Sequence, residues 1–598
     1  MEQLIQIYTN RKTSFAATAA ALQKKYNYYS IIRLLTFFAA IGLGIYLFAE
    51  YWQIAIGYTI VFLIAFYRFM LWHMKIKEAE VHHSNLANIN DYELSALDYE
   101  TMQFGSGELF TNPEHPYSFD LDIYGDHSFF QFCNRTSTAI GSQRLARYLG
   151  QTATIEEIKA RQKAVKELSE KLDWRQHFQA FGLQTQDELK HIDLLKKWLE
   201  DEPYVSNSAF YKAMLYFVPI WMLGAALMFI YVQPWELSLL FLLLPGWIMR
   251  KTVERVNKTH LRTTHAEKTL AFYAKLIAHV EPETFESEKL KQIHQAFAHQ
   301  DHSASKSIAR LSYIIGQLNM RYNAFAALFN ITVLWDLQWV YRLELWKTEQ
   351  KAHLPKWFEA LAELEALISL STILYNNPDW TFPEVGDYPH FHANELGHPL
   401  ISPKKRICND VNIPTSGHIK LITGSNMAGK STFLRTVGLN IVLALAGAPV
   451  CAKRLELPVL QVYTSMRTQD ALHENTSSFF AELKRLKFII EAVEQGANIF
   501  FLLDEILKGT NSRDRHTGSK ALIKQLIEHK GAGIIATHDL ELGELEAQYG
   551  GALENLRIEV EIQDGQLHFD YKLKKGVSES FNATILMQQM GIRIDEKI

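Results

Sequence analysis

Two pairs of long apolar segments without any charged residue constrain what this chain can fold into. Residues 34–49 and 51–67 form the first pair, and residues 213–235 and 237–249 form the second. A helix needs about 20 apolar residues, with about 17 as the lower limit, to cross the hydrocarbon core of a bilayer. Each pair is therefore predicted to be either a transmembrane helical hairpin or a hairpin buried in the core of a large soluble protein.

The charged residues around these segments favour the membrane. Glu50 and Glu236 are the only charges between the two members of each pair. The cytoplasmic flanks of membrane helices are enriched in lysine and arginine. We therefore predict four transmembrane helices in the inner (cytoplasmic) membrane, with both termini and all large segments in the cytoplasm. The basic residues on the outer sides of the pairs are Arg11, Lys12, Lys24, Lys25, Lys75, Lys77, Lys212, Arg250, Lys251 and Arg255.

Length and composition fit a protein of several domains in a reducing compartment. A chain of 598 residues predicts three or four domains, and three cysteines without a CxxC pair argue against a disulfide framework or a zinc site. The net charge of -4 gives no general attraction to nucleic acid, so contact with DNA would need a local basic patch. The predicted divisions are a cytoplasmic segment 1–30, a first hairpin 31–75, a mixed region 76–205, a second hairpin 206–251, a long-helical region 252–384 and an α/β domain 385–598.

A glycine-rich segment at 424–432 fits the pattern GxxxxGK[ST], whose backbone N–H groups cradle phosphate. It follows a strand-like run at 419–422 and precedes a helical run at 433–445, which is the context that this pattern needs. Lys430 would reach the β- and γ-phosphates of ATP, and the Ser431 hydroxyl would bind Mg²⁺. The predicted ATP-binding residues are Gly424, Ser425, Asn426, Met427, Ala428, Gly429, Lys430, Ser431 and Thr432.

Two further apolar runs end in residues that would complete such a site. Residues 498–503 are followed by Asp504 and Glu505, and residues 533–537 are followed by His538. Runs this apolar predict parallel strands that are buried on both faces. Asp504 is the predicted Mg²⁺ ligand, Glu505 the residue that polarises the attacking water, and His538 a sensor of the γ-phosphate. Glu505 and His538 are thus predicted to be catalytic together with the P-loop lysine.

Several segments resemble the MutS family of DNA repair ATPases. In the C-terminal part they are ITGSNMAGKSTFLRT around the P-loop, DEILKGTNSRD from residue 504, ATHD from residue 536 and GHP from residue 397. Further upstream, FCNRTSTAIGSQRL at 132–145 resembles the start of the family's core domain. The resemblance is highly specific over 385–598 and moderate over 117–190.

This resemblance implies a fold class and an assembly. The implied chain is multidomain, with an α-helical core at 76–205 and lever at 252–384, two transmembrane helical hairpins, and a C-terminal α/β P-loop ATPase domain of the ABC-type, MutS-like class. Ser477 matches the family's signature serine, which completes the ATP site of the partner in a dimer, and Glu482 matches a nearby family glutamate. A homodimer is therefore implied. Asn475, Leu507 and Lys508 differ from the family's residues in these segments.

The resemblance also implies a function. The implied protein is an ATPase with ATP and Mg²⁺ as cofactors. It would couple ATP binding and hydrolysis to conformational change in a dimer. It would act on DNA through phosphate contacts, in mismatch repair or recombination. The family's mismatch-reading N-terminal domain is not expected here. The alternative is a membrane mechanochemical ATPase that moves a protein or lipid partner and never contacts DNA, which the hairpins and the slight negative charge favour. Basic residues on the long helices that could contact phosphate are Arg310, Arg321, Arg342 and Lys347.

Overall fold

The computed structural model describes residues 1–183, 188–231, 235–298, 303–323, 326–425, 428–467, 478–496, 498–563 and 566–578. The helices are α1 Glu2–Glu50, α2 Trp52–Leu97, α3 Phe129–Cys133, α4 Ala139–Gly150, α5 Ile155–Glu170, α6 Leu172–Gly182, α7 Leu189–Glu200, α8 Ala209–Tyr231, α9 Leu243–Thr263, α10 Ala266–Val280, α11 Glu288–Phe297, α12 Ala304–Asn319, α13 Ala326–Val333, α14 Trp335–Gln350, α15 Leu354–Asn376, α16 Lys430–Ala446, α17 Ser478–Glu494, α18 Ser512–Glu528 and α19 Leu545–Gln548. Short 3-10 helices span Glu108–Phe110, Trp235–Leu242, Met320–Tyr322 and Leu540–Glu544. The strands are β1 Glu384–Val385, β2 His390–Leu396, β3 Asn409–Pro414, β4 Ile419–Thr423, β5 Arg454–Leu457, β6 Gln461–Ser465, β7 Ile499–Asp504, β8 Ala532–Thr537, β9 Leu553–Gln563 and β10 Gln566–Lys575.

Helices α1 and α2 form a long antiparallel hairpin that is much longer than its apolar part. They contain 49 and 46 residues, so each extends about 70 Å at 1.5 Å per residue. Their most apolar stretches are almost entirely exposed, whereas Tyr8 in α1 and Leu86 in α2 are fully buried. The first 30 residues, which the sequence analysis set apart from the hairpin, are continuous with it in α1. The polar ends of the hairpin therefore belong to the folded body of the protein, and the apolar ends project from it.

Three helices in the described part of the chain are long and apolar enough to cross a membrane: α1, α2 and α8. The fourth predicted span, 237–249, is not among them. It consists of the 3-10 helix Trp235–Leu242 followed by the first two turns of α9. Pro245 lies in the first turn of α9, where a missing N–H is tolerated, but its ring would clash with the preceding turn of a longer α-helix. The second hairpin is therefore asymmetric.

Helix α15 is the centre of the helical region. It packs against α4, α5 and α11 and is buried along most of its length. The approach of α4 is so close that a Cβ on Gly141 would overlap the Glu365 carboxylate. Thr138 caps α4 by accepting a hydrogen bond from the Gly141 N–H at 2.9 Å. One hydrophobic core continues from these helices into the C-terminal domain.

The described residues of the C-terminal domain form two sheets. The larger has the strand order β10-β9-β4-β8-β7-β6, in which β9 to β6 are parallel and β10 is antiparallel at one edge. The smaller has the order β1-β5-β2-β3. Strands β4, β7 and β8 are buried at every residue, as central parallel strands are. The prediction of a mostly helical chain with a C-terminal α/β domain is confirmed.

A buried ion pair joins the first hairpin to the helical core. Glu93 in α2 accepts hydrogen bonds from Arg135 Nε at 2.5 Å and from Arg135 Nη2 at 3.1 Å. The same carboxylate accepts a hydrogen bond from Asn376 Nδ2 at 2.7 Å, and the Tyr8 hydroxyl donates to Asn376 Oδ1 at 2.7 Å. All four residues are buried. Since Asn376 is the last residue of α15, this network links α1 and α2 to the point from which the chain continues into the C-terminal domain.

Candidate functional site

Strand β4 and helix α16 position the glycine-rich segment. Lys430 begins α16, and its Nζ donates hydrogen bonds to the carbonyl oxygens of Gly424 at 2.7 Å and Ser425 at 2.9 Å. Burial lowers the pKa of Lys430, while the carboxylates of Glu505 and Asp504 raise it. The lysine is thus held inside the loop that it follows in sequence, close to the two acidic residues at the end of β7.

The loop has no room for a side chain at its first glycine. A Cβ on Gly424 would lie 2.5 Å from the carbonyl oxygen of Ile558 in β9, well inside van der Waals contact. Gly429 has φ +98°, the left-handed conformation that glycine adopts without strain. Both glycines therefore let the backbone take a path that other residues would block.

Gly424→Ala is expected to destabilise the domain by about 1–3 kcal/mol, because the added methyl group must push β9 away from β4. We also expect weaker binding of a fluorescent ATP analogue, since the loop would shift with β4. The matched control is Gly550→Ala, where the nearest atom to an added Cβ is 3.6 Å away. Equal thermal unfolding midpoints for the two variants would contradict the steric argument.

Asp504 lies at the carboxyl end of β7, beside the start of α16. The Ser431 hydroxyl stabilises the charged form of the Asp504 carboxylate. Burial raises the pKa of Asp504, while the Ser431 hydroxyl and the Lys508 ammonium lower it. Asp504 Oδ1 is buried and has no hydrogen-bond partner among the described residues. A buried carboxylate oxygen without a partner, next to a hydroxyl, suits a hard divalent cation that binds oxygen ligands.

Glu505 follows Asp504 and faces two basic side chains. Its Oε1 lies 3.7 Å from His538 Nδ1, and its Oε2 lies 3.5 Å from Lys508 Nζ. The backbone of Glu505 has φ +50°, and its N–H donates to the carbonyl oxygen of Ala536 in β8 at 2.9 Å. This bond between the ends of β7 and β8 brings Glu505 and His538 together. The carboxylate remains partly exposed, so water can reach it.

The loop after Glu505 is held by a residue of α17. The Glu482 carboxylate accepts a hydrogen bond from the Leu507 N–H at 2.5 Å, and the N–H groups of Lys508 and Gly509 also stabilise its charge. Burial raises the pKa of Glu482, and these N–H groups lower it. Leu507 has φ +62°. The sequence marked Glu482 only by resemblance, and its contact with this loop was not predicted.

Asp120 is a further residue of this region that the sequence analysis missed. Its carboxylate accepts hydrogen bonds from Thr464 Oγ1 at 2.7 Å and from the N–H groups of Met466 at 3.2 Å and Arg467 at 3.1 Å. It therefore fixes the chain where β6 ends. No local pattern could have identified Asp120, because its partners lie more than 340 residues away in sequence.

The residues present fit the phosphates of ATP and a magnesium ion. The described P-loop residues follow one another from the end of β4 into α16, with Lys430 directed to the loop and Ser431 to Asp504. The unpaired Asp504 oxygen and the close approach at Gly424 are the observations that support this fit. Asn426, Met427 and Ser477 lie outside the described residues.

Sequence comparison with known proteins agrees with this geometry. Residues 420–591 match the family model "MutS domain V". The chain is 33% identical over 220 residues to the DNA mismatch repair protein MutS of Aquifex pyrophilus, covering 36% of this chain and 25% of that protein. It is 33% identical over 230 residues to MutS of Dinoroseobacter shibae, covering 37% and 26%. MutS protein homolog 4 of Mus musculus is 31% identical over 195 residues, covering 31% and 20%. The chain thus spans about a quarter of the length of the curated relatives it matches.

Proposed function

Since this chain belongs to the MutS family through its C-terminal domain, we propose that it is a membrane-anchored ATPase that couples ATP binding and hydrolysis to conformational change in a dimer and acts on DNA. The observation that carries the ATPase proposal is the convergence of Lys430 with the carboxylates of Asp504 and Glu505 at the carboxyl ends of β4 and β7. The names of the relatives, which are DNA mismatch repair proteins, support DNA as the partner.

In this proposal each site residue has one task. Lys430 exchanges the carbonyl oxygens that it now contacts for the phosphate oxygens of ATP, and Ser431 and Asp504 hold Mg²⁺. Glu505 orients and polarises the attacking water, and His538, whose Nδ1 lies 3.7 Å from Glu505 Oε1, senses the γ-phosphate. Bound Mg²⁺ supplies positive charge against the negative charge that develops on the phosphates.

The proposed dimer places ATP between two C-terminal domains. By resemblance, Ser477 of each chain completes the site of its partner. On either side of the segment that contains Ser477, Asp120 accepts a hydrogen bond from the Arg467 N–H and α17 begins at Ser478. Closing and opening of the dimer would then move the helices that share a core with this domain.

The membrane anchor in this proposal consists of both hairpins, with both termini in the cytoplasm at the inner membrane. The exposed apolar stretches of α1, α2 and α8 support three crossings. For the fourth, a 3-10 helix rises about 2 Å per residue and an α-helix about 1.5 Å. Trp235–Leu242 and residues 243–249 would together extend about 26 Å, close to the ~30 Å hydrocarbon core. The 3-10 helix and the start of α9 together could thus lead the chain back across the bilayer.

One observation favours the second candidate function, a mechanochemical ATPase that acts on a protein or lipid partner without DNA. The four basic residues of the lever that could have contacted phosphate each already have a partner in the chain. Non-specific DNA binding depends on free lysine and arginine side chains. The contacts are Arg310 Nη1 to Glu349 Oε2 at 3.5 Å, Arg321 Nη2 to Asp336 Oδ2 at 3.2 Å, the Arg342 guanidinium 4.3 Å above the Trp339 ring, and Lys347 Nζ to the Trp198 carbonyl oxygen at 2.7 Å.

Steady-state ATP hydrolysis by the full-length protein in lipid nanodiscs tests both candidates. We expect Mg²⁺-dependent hydrolysis that Lys430→Ala abolishes and that duplex, mismatched or branched DNA changes. The DNA effect should weaken as salt rises, since phosphate contacts release counterions. Hydrolysis that responds to no DNA would exclude the DNA proposal in favour of the second candidate. If the unaltered chain did not hydrolyse ATP, the proposed ATPase activity would be contradicted.

A further inference from the structure

We propose that α13, a helix of the 252–384 lever region, inserts its exposed face into the surface of the lipid bilayer. This inference rests on the proposed membrane anchoring but goes beyond the two hairpins, because α13 belongs to neither. It assigns a third membrane contact to the part of the chain that the resemblance treats as a lever. The occupant of this surface is lipid at the boundary between headgroups and acyl chains.

The amino-acid composition of α13 is unusual for a helix exposed to water. Its sequence, AALFNITV, contains no charged residue. Ala326 and Asn330 face the protein and are buried, whereas Ala327, Leu328 and Phe329 are exposed, Leu328 by 58%. The exposed face of a helix in water normally carries charged and polar residues. Here the exposed face is apolar and the buried face carries the asparagine.

The position of α13 joins this face to the proposed anchor. Helix α13 packs against both α8 and α9, the two helices of the second hairpin. Just beyond it, Gln338 Nε2 donates to the carbonyl oxygen of Leu215 at 2.8 Å, which places the start of α14 beside the second turn of α8. Tyr216 and Ile220 of α8 are exposed by about 70%. Helix α13 thus lies directly beside α8, and in our proposal the bilayer around α8 also meets Leu328 and Phe329.

The residues that border α13 are those of a membrane interface. Trp335 packs on Phe329 and donates its indole N–H to the Gln317 carbonyl oxygen at 3.0 Å. The Arg342 guanidinium lies 4.3 Å from the centre of the Trp339 ring, and in α9 Lys251 Nζ lies 4.3 Å from the Trp247 ring. Tryptophan and basic side chains concentrate at the headgroup level of membranes. The border is thus amphipathic, as the proposal requires.

The placement has a mechanical consequence. Helix α14 packs against α12 and α9, and α12 packs against α10. A movement of these helices would reach the bilayer through α13 as well as through the hairpins. Work done by the C-terminal domain could therefore be delivered at the membrane surface.

Fluorescence quenching in nanodiscs tests the inference on the full-length chain. Leu328→Cys is labelled with the environment-sensitive dye NBD in a Cys408→Ser background, because Cys133 and Cys451 are buried. Glu349→Cys, exposed further along α14, is the aqueous control, and Ile220→Cys in α8 is the control for the anchor itself. We expect nitroxide-labelled lipid to quench dye at 328 and 220 several-fold more than dye at 349. Aqueous iodide should show the opposite order.

Each other outcome has a separate meaning. Lipid quenching at 220 with iodide quenching at 328 would overturn the inference and leave the anchor standing. Iodide quenching at both 220 and 328 would contradict the proposed anchor as well as the inference. Protection of 328 from both quenchers would mean that protein, a second copy or another partner, covers α13, and it too would overturn the inference.

Discussion

Glu505→Gln is expected to reduce ATP hydrolysis by roughly 100-fold or more, because a positioned general base contributes about 10²–10⁴-fold to such reactions. The amide keeps the size of the carboxylate but cannot take up a proton or polarise water as strongly. The left-handed backbone at this position, φ +50°, is equally accessible to both residues. The hydrogen bond from the residue 505 N–H to Ala536 involves only the backbone and is retained.

Nucleotide binding by this variant should remain close to that of the unaltered chain. Lys430, Ser431 and Asp504, which are proposed to hold the phosphates and the metal, are unchanged. Phosphate release and binding of a fluorescent ATP analogue, measured on the same preparation, separate the two effects. Glu541→Gln is the control, since Glu541 is a highly exposed carboxylate of the same domain that lies near His516. A Glu505→Gln chain that hydrolyses ATP at the unaltered rate would show that Glu505 serves only its contacts with Lys508 and His538.

The parts of the site that are local in sequence could be predicted, and the parts that depend on distant contacts could not. The run before Gly424 is strand-like and the run before Asp504 is apolar as buried parallel strands are, and the structure has β4 and β7 there. By contrast, Asp120 reaches the end of β6 across more than 340 residues. Nothing in the sequence around it distinguishes this aspartate from Asp122 two residues later.

The hairpins show the same limit. The length of the apolar runs predicted that α1, α2 and α8 could cross a membrane. It could not show that α1 runs unbroken from Glu2 through the polar residues before the apolar run. Those residues are helical because they pack along α2 and the core, as the burial of Tyr8 shows. In the fourth segment, apolar composition and the flanking charges predicted a membrane helix. The proline at 245 places the start of α9 only two residues before it and leaves the preceding residues in a 3-10 helix.

Glu93→Ala is expected to cost about 3–5 kcal/mol of stability, because removing one member of a buried ion pair leaves the other charge uncompensated. The Arg135 side chain is almost fully buried and has its two shortest charged contacts with Glu93. The guanidinium also donates to the carbonyl oxygens of Phe132 and Asn134 and lies 3.6 Å from the centre of the Phe104 ring. Asn376 would also lose its acceptor, so the end of α15 should loosen.

Hydrogen exchange measured by mass spectrometry on the full chain in nanodiscs can locate this loss. We expect faster exchange in α2 around residue 93 and in the last turns of α15, since local opening free energies determine amide protection. Asp91→Ala is the matched control, because Asp91 lies on the same helix and its ion pair with Lys12 is about half exposed. Exposed pairs contribute about 0–1 kcal/mol. If both variants exchanged alike in α15, the Glu93–Arg135 pair would not connect the hairpin to the C-terminal domain, and any coupling between membrane and ATPase would have to pass through other contacts.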